Sequence, residues 1–391
     1  MMIFLLLLVG VFPASAVEAT VEVGWAGRAV ASAVNPVWLT VSNPGALPFS
    51  GEIRISAKIG SPWRGEARYT AGIPLFLAPF GRAKLLIPWP VALGTAALAV
   101  EIRAGERGVF AREVPVWLET ERLRGALGPP GDPAEVSLSP HDIPPDPLFL
   151  WPFSQLRINL VLPGEALSVV RAWAMFLGGI SEVSPPFGVL LASLPLRQRV
   201  QGLRPSPPLW AALVPGLVLY LFALGPLLAR FSRGNIGLFL AFSVVFLGFS
   251  LIYGVWQEEP RAIHSVLVRV SCPGFTMFNL DLWGGVAWRK ERWALPGFWV
   301  ELLPERGWEG LDLLWVHSAE GWRTEAWLSP GRPRLFLRLA EEALPFPALA
   351  EAAPPAWLQQ TLRLPWEKAR IKTALVREKE SQTEVFQVWV P

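Results

Sequence analysis

Glu52-Ile53-Arg54-Ile55-Ser56-Ala57-Lys58 is the stretch that decides the fold of this 391-residue chain. Its apolar side chains alternate with polar ones, which is the period-two pattern of a strand with one buried face. Turn formers such as Asn43-Pro44-Gly45 separate it from its neighbours. Six further short runs are predicted as strands: residues 20–24, 37–43, 73–78, 83–89, 97–103 and 109–116. About seven strands in about 100 residues predict an all-β immunoglobulin-like sandwich over residues 17–118.

Residues 119–206 differ in composition, with Pro-rich loops around a strand-like run at 156–162. Residues 164–177 are mostly apolar and predict a largely buried helix, because Gly178-Gly179 follows as a stop signal. A second strand is predicted at 187–194. This segment is therefore predicted to be a small α/β domain.

Two apolar runs of 21 residues, 209–229 and 236–256, lie back to back further along the chain. At about 1.5 Å per residue, each run is about 31 Å long and matches a hydrocarbon core of about 30 Å. Neither run contains an acid, a base or a histidine, so they predict an anchor and not an ion path. We predict a two-helix transmembrane hairpin over residues 207–257 with a linker at 230–235. A buried core hairpin of a soluble protein is the alternative.

The first 16 residues have the composition of an export signal. An apolar stretch at 3–12 ends in Pro13-Ala14-Ser15-Ala16, a small-residue cleavage pattern, so cleavage is expected after Ala16. With that start exported, the linker 230–235 is cytoplasmic, and its two arginines agree with the positive-inside rule. We therefore predict a protein of the bacterial cytoplasmic membrane with its soluble domains on the extracytoplasmic side.

Residues 258–391 are predicted to be β-rich and Trp-rich. Three valines alternate on one face of residues 264–270, and residues 369–376 and 384–390 are predicted to pair as a terminal hairpin. The chain has 20 Trp, and most of the C-terminal share falls between residues 283 and 327. Core packing is the simpler interpretation of these tryptophans, whereas exposed ones would stack on sugars or anchor partners.

Charge and cysteine content exclude some classes of function. The formal net charge is only +3 and the basic residues are scattered, so nucleic-acid binding has no support. Cys272 is the only cysteine, so it forms no intrachain disulfide, and we expect it to serve in packing. The 39 prolines and the preference for Arg over Lys are typical of a GC-rich and heat-adapted source.

The sequence contains no catalytic constellation, and we predict no catalytic, cofactor-binding or metal-ligating residue. His141, Asp142 and Asp146 share a Pro-rich loop, but four ligands at a recognisable spacing are absent. No Gly-x-Ser-x-Gly elbow supports a Ser–His–acid triad. An alternative function, an envelope glycan or peptide hydrolase, would depend on His317 or on a nearby carboxylate such as Asp312.

The order of parts resembles a group of uncharacterised bacterial membrane-anchored proteins. In that group a signal peptide and an immunoglobulin-like domain precede a domain related to class I glutamine amidotransferases, a two-helix hairpin and a β-rich tail. Residues 37–45 and 49–52 resemble the opening of the β domain. Residues 167–179, with Arg171-Ala172-Trp173, are similar to a helix of the amidotransferase-like domain. Leu219-Tyr220 with Gly225-Pro226-Leu227 looks like the first helix of the hairpin.

The resemblance implies a non-enzymatic protein, because those amidotransferases use a nucleophilic Cys and residues 119–206 contain none. It implies a membrane-anchored envelope protein that acts as a scaffold or binding module and needs no cofactor. The implied partners are the lipid bilayer and an unidentified membrane or envelope protein. An accessory subunit of a membrane transporter or secretion system is a second alternative.

Overall fold

The structure is a computed structural model, and it describes part of the chain. The described residues are 17–61, 65–92, 94–127, 133, 135–138, 149, 151–158, 182–183, 261–272, 275–287, 290–302, 312–330, 332–340, 349–362, 364, 366–377 and 381–389. Within these ranges the chain is nearly all strand, and its one helix, α1, is a short segment at Ala356–Thr361.

The strands fall into three groups along the sequence. The first group is β1 (Glu18–Val23), β2 (Arg28–Val30), β3 (Ala33–Ser42), β4 (Phe49–Ser61), β5 (Gly65–Leu77), β6 (Arg82–Val91), β7 (Ala97–Ala104), β8 (Arg107–Pro115) and β9 (Trp117–Glu119). The second group is β10 (Leu123–Leu127), β11 (Glu135–Leu138), β12 (Phe153–Ile158) and β13 (Glu182–Val183). The third group is β14 (Arg261–Cys272), β15 (Phe275–Ala287), β16 (Glu291–Pro296), β17 (Val300–Glu301), β18 (Leu313–Ser318), β19 (Gly321–Leu328), β20 (Arg334–Ala340), β21 (Ala350–Glu351), β22 (Arg370–Arg377) and β23 (Ser381–Trp389).

The first group builds a β-sandwich. Strands β1-β3-β6 form one sheet, and β5-β4-β7-β8 lie side by side in the other. Each of the seven predicted runs coincides with one of these strands. In β4 the side chains of Ile53, Ile55 and Ala57 are buried, as the alternation requires, and they share one core with Leu39 and Trp89 of the facing sheet.

The sandwich sheet continues into strands from the far end of the sequence. Its full order is β16-β19-β18-β5-β4-β7-β8. Strand β18 pairs in parallel with β5, with Leu313 opposite Tyr69 and Val316 opposite Gly72. Residues 17–118 and 258–391, which the sequence presents as separate parts, thus contribute strands to one sheet.

The remaining C-terminal strands form a second seven-stranded sheet, in the order β17-β20-β15-β14-β23-β22-β21. Its β14 carries the alternating valines, and all three are buried. Strands β22 and β23 pair antiparallel, with Ile371 opposite Val388, at the place of the predicted terminal hairpin. Gly285 of β15 lies against Trp293 of β16 so closely that a Cβ there would be 2.0 Å from the indole. The two large sheets therefore pack face against face at this point.

A smaller sheet of order β11-β10-β12-β13 contains the described strands of residues 119–206. Strand β10 pairs in parallel with both β11 and β12. The predicted helix at 164–177 and the predicted strand at 187–194 lie outside the described residues. In that part of the chain the described elements are strands.

The predicted fold class, a multidomain membrane protein with a helical hairpin, is wrong for the part of the chain that the structure describes. That part is nearly all β, and none of its helices is long and apolar enough to span a bilayer. The prediction of a membrane protein with transmembrane helices is corrected with it for the same part of the chain. The physical reason is that hydropathy and length report a need for burial without specifying what covers an apolar segment. Residues 209–229 and 236–256 themselves, and the predicted export signal at 1–16, lie outside the described ranges.

Candidate binding surfaces

The junction between β5 and β18 is rigid because large aromatic side chains fill it. Trp315 of β18 is fully buried, with its ring centroid 5.4 Å from that of Tyr69 and 5.5 Å from that of Trp89. Its indole Nε1 donates to the Trp299 carbonyl at 2.8 Å. The C-terminal strands are thus anchored in the core of the N-terminal sandwich.

A buried ion pair lies beside these rings. Arg334 and Glu301 have side chains that are each 1% exposed. The guanidinium binds the carboxylate through two nitrogens, with Nε 2.6 Å from Oε1. Its Nη1 also donates to the Trp327 carbonyl at 2.6 Å, and the Tyr69 hydroxyl donates to Glu301 Oε2 at 3.5 Å. Such a pair is stabilising only while both partners remain, because either charge alone is costly to bury.

Tyr69 makes the fold sensitive to alkaline pH. Burial raises the pKa of its phenol well above the usual value, and the nearby Glu301 carboxylate raises the pKa further. Above about pH 10 the unfolded chain releases this proton while the folded chain keeps it, so stability falls with rising pH by up to about 1.4 kcal/mol per pH unit. We expect Tyr69→Phe to remove the loss of stability that this phenol causes above about pH 10. Urea unfolding of wild type and variant between pH 8 and 11 measures the free energy of unfolding of each, and parallel pH curves for the two proteins would contradict the prediction.

The residues of the hydrolase alternative lie apart. Asp312, the residue before β18, and His317 of β18 are five residues apart, about 17 Å, and an odd separation in extended chain places them on opposite faces of the sheet. Asp312 Oδ1 accepts the backbone N–H of Arg68 at 2.9 Å, whereas the His317 ring contacts Trp322 at 4.8 Å between centroids. The two side chains cannot act on one bond.

The other residues that the sequence singled out do not form a site in the described ranges. The described part of the chain holds no group of three or more His, Cys, Asp or Glu that could bind a metal. His141, Asp142 and Asp146 lie outside the described residues. Cys272 is the last residue of β14.

Several of the described C-terminal tryptophans pack in the interior, whereas Trp327 and Trp389 are exposed. Trp293, Trp299 and Trp315 are buried, while Trp327 of β19 is 41% exposed. The Lys290 Nζ lies 5.3 Å from the centroid of the Trp327 ring, a cation–π distance. An exposed indole with a cation over one face is a platform for a flat ligand.

One basic side chain lies next to this platform, and a second lies further along β19. Arg292 is opposite Trp327 in the β16–β19 register, and Arg323 lies four residues before Trp327 on the same face of β19. Both bind the same carboxylate, Glu325, which is 5% exposed between them, with Arg323 Nη2 2.9 Å from Oε1. The carboxylate holds the two guanidinium groups in place at the surface.

A second surface lies at one end of the sandwich, where two loops and the adjoining end of β5 expose large apolar side chains. Leu47 is 60% exposed, Phe76 71% and Phe80 73%. We call these three residues the end-loop cluster. Scattered single apolar residues on a surface are ordinary, whereas three at one end of the sandwich, Leu47 and Phe80 on loops and Phe76 near the end of β5, are a candidate contact surface.

The two loops that carry Leu47 and Phe80 of the end-loop cluster are held by one buried side chain. Asn43 is 1% exposed, and its Nδ2 donates to the carbonyls of Leu47 at 2.7 Å and Ala78 at 3.1 Å. Its Oδ1 accepts the backbone N–H of Gly45 at 3.1 Å, and the N–H of Phe80 donates to the Gly45 carbonyl at 3.1 Å. The cluster therefore sits on a rigid base.

Phe80 is strained. Its φ is +54°, a left-handed conformation in which a bulky residue is an outlier. It is the third residue of a turn that begins at Ala78, has Pro79 second and closes with the Gly81 N–H donating to the Ala78 carbonyl at 2.9 Å. Glycine or asparagine normally takes this position. Strain that the surroundings impose on an exposed side chain is a common mark of a functional contact.

Comparison with known proteins adds little. No family model matches the chain, and no curated protein matches it. Among solved structures, an alkylpurine DNA glycosylase from Pseudomonas fluorescens bound to DNA is 10% identical with a TM-score of 0.22, over 27% of this chain and 31% of the other. A cycloisomaltooligosaccharide glucanotransferase from Paenibacillus is 14% identical with a TM-score of 0.20, over 29% and 16%. A CARDB domain from Pyrococcus furiosus in complex with two metal ions is 12% identical with a TM-score of 0.20, over 26% and 89%.

These likenesses are too distant to inform either fold or function. The chain spans less than a third of the length of the first two structures. The resemblance to amidotransferase-like envelope proteins stays a prediction.

Proposed function

We propose that the protein is a non-enzymatic scaffold or binding protein of the bacterial cell envelope that holds a protein partner at the end-loop cluster. The observation that carries the proposal is Phe80, a large apolar side chain that is 73% exposed in a strained backbone conformation. Folding alone gives no reason for this residue, because glycine would occupy the turn at lower cost.

The rigidity of the loops supports the same proposal. The hydrogen bonds of Asn43 fix both loops before any partner arrives, so little conformational entropy is lost on binding. Aromatic anchors on a preorganised surface commonly carry most of the energy of a protein–protein contact. The end-loop cluster has both properties.

Two substitutions at Phe80 test whether its backbone is strained. Phe80→Gly removes the ring and relieves the left-handed strain, whereas Phe80→Ala removes the ring and keeps the Cβ that causes the strain. We expect Phe80→Gly to be about 1 kcal/mol more stable than Phe80→Ala. Chemical denaturation of the two variants measures this difference, and equal stability would show that the turn is not strained.

Partner capture tests the function itself. Tagged wild-type protein and three variants, Phe80→Gly, Phe80→Ala and Trp117→Ala, are cross-linked in the native cells and purified, and bound proteins are quantified by mass spectrometry. Trp117 is the matched control, because it is 74% exposed on β9 and lies outside the end-loop cluster. We expect one protein to be retained by wild type and Trp117→Ala and lost from both Phe80 variants. Retention by all four proteins, or by none, would contradict the proposal.

A further inference from the structure

A second set of surface residues lies in one line across the outer face of the sandwich sheet. Arg292 is opposite Trp327, and Lys58 is opposite Arg68. Asp312 lies between the two pairs, since it precedes Leu313, the neighbour of both Ala326 and Tyr69. We call Arg292, Trp327, Asp312, Arg68 and Lys58 the Trp327 row. All five are exposed.

The Trp327 row crosses five neighbouring strands. At about 4.8 Å between strands, it is about 19 Å long from Arg292 on β16 to Lys58 on β4. Lys290 extends it beyond the indole, and Arg323 lies beside it above Glu325. The surface therefore offers three cations in one line, Arg292 at one end and Arg68 and Lys58 at the other, with the indole and the Asp312 carboxylate between them. The Lys58 Nζ also lies 3.4 Å from Glu66 Oε1.

The geometry of the row is fixed from below. Nη1 of the buried Arg334 donates a hydrogen bond to the Trp327 carbonyl at 2.6 Å and lies 3.4 Å from the Asp312 carbonyl oxygen. The Asp312 carboxylate in turn accepts the Arg68 backbone N–H at 2.9 Å. These contacts fix the backbone under Trp327 and Arg68 at their positions on the sheet, so a ligand would meet a preformed surface.

We propose that the Trp327 row binds an anionic polysaccharide of hexuronate type, laid across the strands. One sugar ring stacks on the exposed face of Trp327. The carboxylates of flanking sugars pair with Arg292 on one side and with Arg68 and Lys58 on the other, in the way that Arg and Lys recognise carboxylates. The carboxylate of Asp312 accepts sugar hydroxyl groups.

The mixed charge of the row favours a sugar acid over nucleic acid. Asp312 lies among the cations, where its exposed carboxylate repels closely spaced phosphates and accepts hydrogen bonds from sugar hydroxyl groups. Proteins that bind single-stranded nucleic acid present several aromatic residues along the groove. In the Trp327 row, Trp327 is the single aromatic side chain.

This site is separate from the end-loop cluster. Phe76 is eight residues beyond Arg68 on β5, so the two surfaces lie about 27 Å apart along the strand. Polysaccharide binding therefore does not depend on the partner that the end-loop cluster holds. A negative result for one of the two sites therefore leaves the proposal for the other site unaffected.

Affinity electrophoresis of the full chain tests the inference. Wild type, Trp327→Ala, the pair Arg68→Glu with Lys58→Glu, and Trp117→Ala are run through gels that contain polygalacturonate, dextran or oligothymidylate. Trp117→Ala is the control for loss of an exposed indole away from the row. Thermal unfolding of each variant shows that it is folded.

We expect polygalacturonate to retard wild type and Trp117→Ala equally, and dextran and oligothymidylate to retard neither. Trp327→Ala should bind polygalacturonate about tenfold more weakly, the usual effect of losing one stacking platform. The charge-reversed double variant should lose binding altogether. The inference is overturned if wild type ignores polygalacturonate, if dextran or oligothymidylate binds as tightly, or if Trp117→Ala weakens binding as much as Trp327→Ala.

Discussion

Replacing Arg334 by methionine should lower the free energy of unfolding by about 3–5 kcal/mol, because it leaves the Glu301 carboxylate buried without its cation. Both side chains are 1% exposed, so water cannot replace the lost partner. The Trp327 carbonyl also loses its donor. Urea unfolding followed by tryptophan fluorescence measures the loss.

Two further variants show whether the loss comes from the ion pair. Arg334→Met combined with Glu301→Leu removes both charges and should recover most of the lost stability, since an apolar pair of similar volume replaces a buried ion pair well. Arg112→Met removes an exposed arginine of β8 and should change stability by less than about 0.5 kcal/mol. A double variant as unstable as Arg334→Met would contradict this account of the pair.

Trp315→Ala should cost a similar amount, about 3–5 kcal/mol, because it removes a fully buried indole from the junction of β5 and β18. The cavity would lie between Tyr69 and Trp89 of the N-terminal sandwich and Phe298 of the C-terminal part, whose ring stacks on Trp315 at 5.2 Å. The same urea titration measures the change.

Trp117→Ala is the matched control for Trp315→Ala, since its indole is 74% exposed. It should leave stability within about 0.5 kcal/mol of wild type. A loss at Trp315 below about 1 kcal/mol would mean that the two parts of the chain do not share a core there.

The strands of the sandwich could be predicted because their information is local. The apolar side chains that alternate in residues 52–58 predict one buried face of a strand, and the structure buries this face of β4. The terminal hairpin is equally local, because β22 and β23 pair across a short connection. Period and turn chemistry are sufficient for elements of this kind.

The pairing of β18 with β5 could not be predicted in this way. Leu313 and Tyr69 are 244 residues apart. The sequence of each strand shows only that one of its faces is apolar, and this does not identify the strand with which it pairs. For the same reason Trp327 could not be told from its buried neighbours. Trp327 is exposed because the opposite face of β19 packs on the core, and the pairing of β18 with β5 decides which face that is.

The end-loop cluster was missed although the sequence holds a partial signal. Pro79 before Phe80-Gly81 indicates a turn. That indication does not say that Phe80, and not Gly81, takes the left-handed position, since this depends on how Asn43 holds both loops. The membrane prediction failed for the described part of the chain for a different reason, because hydropathy and length cannot specify what covers an apolar run.

The parallel pairing of β5 with β18 is the central claim, and a disulfide across it tests it most directly. In a Cys272→Ser background, Thr70→Cys with Leu314→Cys places two thiols on register partners, which lie within bonding range on neighbouring strands. Ser56→Cys with Leu314→Cys is the control, because β4 is one strand further away, about 9.6 Å from β18. After mild oxidation and proteolysis between the two sites, non-reducing electrophoresis should show linked fragments for the first pair and separate fragments for the second. Separate fragments for both pairs would contradict the shared sheet.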